Sequence, residues 1–95
     1  MVIDTFISDM PGMIAGLRKS ITEGDTEAIR MTAHRLKSGS ANLGASRLAA
    51  LFKSLETVGA KNTTEGADQL LAGIEEHFIE VRSALLELET GDSQL

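Results

Sequence analysis

A chain of 95 residues holds one domain, because domains run at roughly 100 to 150 residues and no second core could be filled from the remainder. Three aromatic residues (Phe6, Phe52 and Phe78) leave little material for a sheet core or a base-stacking surface, and the lack of cysteine excludes a disulfide framework, a thiolate zinc site and a cysteine nucleophile. The net charge of -5 conceals an asymmetry: no Asp or Glu occurs between Glu27 and Glu56, while Arg30, Arg35, Lys37, Arg47 and Lys53 all fall in that gap. On charge alone the basic region reads either as a solvated helix face or as a local site for an anion.

Ile3, Phe6, Ile7, Met10, Ile14, Leu17 and Ile21 follow the 3, 4 spacing of an amphipathic helix, with Pro11 either kinking it or opening its second half. Gly24 breaks that pattern, and Asp25 is placed to cap a second helix with an inward stripe of Ile29, Ala33, Leu36, Ser40 and Leu43, ended by Gly44. A third stripe, Leu48, Leu51, Phe52, Leu55 and Val58, is predicted to stop near Gly59, before a polar connection over residues 61–65. The last stripe is Ala67, Leu70, Leu71, Ile74, Phe78, Val81, Leu85 and Leu88. It predicts about six turns, roughly 30 Å or more, with residues 90–95 as a flexible tail. Four such helices joined by short connections should form an all-α, antiparallel up-and-down four-helix bundle over about residues 2–89, since none buries its stripe alone.

Periodicity then locates a candidate site. At about 100° per residue His34 falls roughly 140° from the centre of the second helix's buried stripe and should face solvent. Arg30 and Lys37 flank it one turn to either side, and the small residues Ser38 and Ala41 leave room on its C-terminal side. An exposed imidazole offers a nitrogen lone pair near neutral pH and can act as a nucleophile. If it received a phosphoryl group, Lys37 and Arg30 could offset the new charge in a region without carboxylates to repel it. Met31, about 160° from the buried stripe and a turn before His34, suggests apolar contact with a partner, and Met13 could extend that patch. Met10 and Met13 otherwise read as core or edge packing, and two distant histidines do not suggest a metal or haem site. His77 sits among Glu75, Glu76 and Glu80, surroundings hostile to phosphate, and no phosphate-cradling glycine loop occurs, so the domain should bind no nucleotide of its own.

The run from Ala33 to Ala45, with Leu48, Leu51, Leu55 and Glu56 after it, closely resembles the signature of histidine-containing phosphotransfer (HPt) domains, approximately Ala-His-x-Leu-Lys-Gly-x-Ser-x-x-x-Gly-Ala with a downstream Leu-Glu pair. The resemblance spans most of the chain, and implies that His34 accepts phosphate and Lys37 stands beside it, while Leu36 and Gly44 match structural positions. Ser38 replaces the usual glycine after the lysine; its hydroxyl could reach the phosphate or the imidazole across one turn. The resemblance further implies a reversible relay between aspartates of receiver domains, those of response regulators or of a hybrid sensor kinase. No cofactor is expected on this chain, and Mg²⁺ is expected on the receiver. A monomer is expected, with no nucleic-acid or direct membrane contact, in the cytoplasm or as the cytoplasmic end of a membrane-bound hybrid kinase. Two rivals are a helical interaction module that never carries phosphate and the dimerising histidine region of a sensor kinase. The second rival usually has an acidic residue and then a proline after the histidine, whereas here Arg35 follows and no proline occurs downstream.

Overall fold

The computed structural model describes the backbone of residues 2–94 and the side-chain surroundings of Phe6 and of residues 8–84. Its four helices are α1 (Val2–Glu23), α2 (Thr26–Asn42), α3 (Ser46–Ala60) and α4 (Ala67–Gln94). Each sequential pair is in contact, and α1 also packs on α4, so the four close into an antiparallel ring around one core. That core takes Met10, Ile14, Leu17 and Ile21 from α1, Ile29, Ala33 and Leu36 from α2, Leu48, Phe52 and Leu55 from α3, and Ala67, Leu71, Ile74 and Phe78 from α4. These follow the stripes that the spacing predicts, with Leu51, Val58, Leu70 and Val81 half-buried against the core and Ser40 buried. Leu43 is not part of it, because it lies at the C-cap of α2 where the helix ends, and Ile3, Ile7, Leu85 and Leu88 lie outside the residues whose side chains are described.

Turn chemistry fixes the connections. Gly24 and Gly44 take left-handed φ values of 71° and 80°, which cost a glycine little. Behind Gly44 the amide of Ala45 donates to the Ser40 carbonyl and that of Gly44 to the Ala41 carbonyl, the paired bonds that satisfy the last orphan carbonyls of a helix. The Asp25 carboxylate accepts from the Ala28 amide at 3.1 Å and caps α2 as the sequence predicts.

One helix runs through Pro11, from Val2 to Glu23. α4 continues to Gln94, past the predicted start of a tail, since a nucleated helix adds each further residue without a new nucleation cost. α3 ends at Ala60, near Gly59 as the sequence predicts; Gly59 itself lies buried inside the helix, and the left-handed φ of 58° at Asn62 makes the turn. A Cβ at Gly59 would stand 2.8 Å from the Thr26 carbonyl oxygen and 2.9 Å from the Arg30 nitrogen, so the glycine is where the backbones of α2 and α3 come together.

Candidate functional site

The contact at Gly59 sets the register of the α2–α3 hairpin. With Gly59 against Arg30, the antiparallel helices bring Glu56, one turn earlier on α3, opposite His34, one turn later on α2. One Glu56 carboxylate oxygen lies 2.8 Å from His34 Nδ1, and the other accepts from Lys37 Nζ at 2.9 Å. A single carboxylate thus bridges the histidine and the lysine that sequence spacing singles out.

Chemistry fixes the proton on this bridge. Lys37 holds the Glu56 carboxyl below the usual carboxylate range, with the His34 hydrogen bond adding to the effect and burial opposing it. An ionised carboxylate can only accept, so Nδ1 is the donor and, in the neutral ring, Nε2 keeps the lone pair. The His34 side chain is 59% exposed, against 22% for Glu56, so the orienting group is tucked between helices while the imidazole meets solvent.

The remaining expected residues fall out unevenly. An open groove beside His34 is lined by Arg30, Met31, Arg35 and Ser38 with it, all from α2. Met31 is 54% exposed, where the helical wheel places it. Met13 is half-buried against the core, and Ala41 is exposed but does not line the groove. The Ser38 hydroxyl donates to the His34 carbonyl oxygen at 3.3 Å. It is directed along its own helix, not onto the ring.

One expectation needs correction. The site is not free of carboxylates: the gap in the sequence is closed in space by Glu56, which lies at its edge. The exposed Arg30 guanidinium is forked onto Glu27 at 2.9 and 2.7 Å and holds that carboxyl below its usual range, so an anion would compete with Glu27 for it. His77 is half-buried, 3.4 Å from Glu80. Among the described residues no group of three His, Cys, Asp or Glu side chains could hold a metal ion, and no helix is long and apolar enough to cross a membrane.

The bridge predicts a pH-dependent contribution to stability. Because the folded state lowers the Glu56 pKa, the stabilisation is present above the ordinary carboxylate range and is lost as pH falls through the lowered value. Glu56→Gln should therefore cost about 1 kcal/mol at neutral pH, and the gap to wild type should close in acid. Urea melts of both proteins at several pH values would read this; a gap that persists unchanged in acid would contradict it.

The family model for the Hpt domain matches residues 1–91. The chain belongs to the Hpt family. Among solved structures it is similar to histidine-containing phosphotransfer protein B (HptB) from Pseudomonas aeruginosa PAO1, at 35% identity and a TM-score of 0.85, over 93% of this chain and 76% of that one. No curated protein matches the sequence. Family membership accounts for the helical bundle and assigns the domain to phosphotransfer in two-component relays, whose Hpt domains work with receiver domains. The dimerising region of a sensor kinase is thereby set aside.

Proposed function

We propose that this Hpt domain is a relay intermediate in which His34 Nε2 takes a phosphoryl group from a receiver's aspartyl phosphate and returns it to another receiver's aspartate. The observation that carries this reading is the Glu56 bridge, which leaves the lone pair on the nitrogen away from the carboxylate. As the P–O bond of the acyl phosphate breaks, its electron pair leaves with the receiver's carboxylate while the Nε2 lone pair forms the P–N bond. No proton has to move. Nδ1 keeps its hydrogen, the ring becomes cationic, and Glu56 stabilises it as an orienting carboxylate stabilises an imidazolium. The same steps run backwards with equal economy, as a reversible relay requires.

In this scheme the domain supplies an oriented nucleophile, and the receiver supplies Mg²⁺ and the acidic pocket around it. Lys37, 2.9 Å from Glu56, is the group that can turn toward the arriving phosphate. One hydrogen bond to a charged group is worth roughly 1.5 to 3 kcal/mol, so Lys37→Ala is expected to slow transfer about ten- to a hundredfold if the bond is fully expressed in the transition state. A variant that transfers at the wild-type rate would remove Lys37 from the mechanism.

The direct test is incubation with a panel of phosphorylated receiver domains, with the label mapped by its stability. Phosphate on His34 should be lost in acid and kept in base; no transfer from any receiver would favour the alternative of a helical interaction module that carries no phosphate. Docking is expected over the exposed face of α2 around Met31. Met31→Glu should weaken receiver binding while phosphoramidate, which needs no docking face, still phosphorylates His34. Equal losses with both donors would mean that Met31 supports the helix and not the partner.

A further inference from the structure

Of the three α2 cations around His34, two are already engaged. Arg30 is forked onto Glu27, and Lys37 is bonded to Glu56. Arg35 lines the same groove as His34, Met31 and Ser38 and is exposed, yet among the described residues no carboxylate lies within ion-pairing distance of it. An arginine keeps its charge at any physiological pH, so among the described residues this guanidinium stands at the site with its fork unused.

Its position also separates it from the chemistry. Successive helical residues point about 100° apart, so Arg35 and His34 lie on opposite shoulders of α2, with Met31 and Ser38 on the ridge between them. The His34 shoulder faces α3, where Glu56 is. The Arg35 shoulder faces α1, because Gly39, one turn further on, is the residue on which the ring of Phe6 closes. A partner lying across the ridge would meet Met31 at its centre, the reacting nitrogen on one side and the Arg35 guanidinium on the other.

We propose that Arg35 is a specificity-determining residue of this domain, a cation across the helix ridge from His34, without an ion-pair partner among the described residues, that pairs with acidic side chains on the rim of the docking receiver and sets how tightly that receiver binds. The inference rests on the phosphotransfer reading and adds the chemistry by which a partner is selected. The occupant is argued from charge. A receiver whose phosphorylation pocket is acidic carries negative potential on the face it docks, and a guanidinium fork matches a free carboxylate at the rim of that face edge to edge. A charge at the rim of an interface acts mainly on encounter and on salt dependence, whereas Lys37, joined to the carboxylate that orients His34, acts on the transfer step.

The test uses a phosphorylated receiver domain that transfers to the wild-type chain, with phosphoramidate as a donor that has no docking surface. At low ionic strength Arg35→Ala is expected to lower kcat/KM for the receiver about three- to tenfold, nearly all of it in KM, and Arg35→Glu to lower it further. Arg35→Lys should recover part of the loss. At about 1 M salt, where screening acts within about 3 Å, the variants should converge on wild type. The phosphoramidate rate should remain within about twofold throughout.

Wild-type kcat/KM for Arg35→Ala at low salt would overturn the assignment, as would a larger loss on Arg30→Ala or an equal loss with both donors. If the wild-type chain takes no phosphate on His34 from either donor, the phosphotransfer reading itself fails and the role of Arg35 falls with it. If wild type transfers normally and only the Arg35 variants behave as wild type, the relay stands and this inference alone is lost.

Discussion

Replacing His34 with glutamine is expected to abolish phosphotransfer while leaving the bundle intact. The glutamine amide can still donate to the Glu56 carboxylate, so the bridge to Lys37 need not collapse, but it has no nitrogen lone pair with which to attack phosphorus. His34 is exposed and absent from the core, and a surface substitution of this kind usually stays within about 0.5 kcal/mol. Far-ultraviolet circular dichroism and the melting temperature should therefore match wild type, with no acid-labile label from any phosphorylated receiver. His77→Gln is the matched control. If that variant loses transfer with His34 intact, or if His34→Gln still takes up acid-labile phosphate, the nucleophile has been assigned to the wrong residue.

The sequence carries the helices and the histidine well, because both are local properties. A 3, 4 spacing of apolar residues is legible in a window of one or two turns, and the same wheel that buries Ile29, Ala33 and Leu36 turns His34 and Met31 outward. Glu56 was out of reach of that reasoning. It lies 22 residues from His34, on another helix, and no rule about neighbours on one helix reaches it. Its only sequence signals were its place in the Leu55-Glu56 pair and at the edge of the acid-free window, and neither gives a distance. For Arg30 both signals are local: the wheel puts it on the His34 flank, and Glu27, three residues earlier, is within reach of its fork.

Gly59 shows the same limit and leads to the largest expected effect on stability. As a sequence symbol a glycine after a helical stripe reads as a stop, and only the helix crossing reveals that it is a notch. Two terms compete on Gly59→Ala. Within a helix alanine is favoured over glycine by about 1 kcal/mol, and at the exposed Gly16, where an added Cβ meets nothing within 4 Å, that gain should be realised. At Gly59 the Cβ would meet the Thr26 carbonyl oxygen at 2.8 Å, the Arg30 nitrogen at 2.9 Å and the Arg30 Cα at 3.1 Å, all backbone atoms that cannot rotate aside. The helices must then separate, and overpacking of this kind costs about 1 to 3 kcal/mol, enough to outweigh the gain in propensity. A net loss of 1 kcal/mol lowers the melting temperature of a domain this size by about 4 to 8 °C, so Gly16→Ala and Gly59→Ala should move it in opposite directions. The separation would also carry Glu56 away from His34 and Lys37, since the crossing at Gly59 sets the register that joins them. Transfer by Gly59→Ala should accordingly fall even at temperatures where the protein remains folded. Thermal melts of the two variants, with transfer assayed well below each midpoint, give the answer. If Gly59→Ala is as stabilising as Gly16→Ala, the backbones of α2 and α3 are not held in contact, and the crossing is not what places the carboxylate on the histidine.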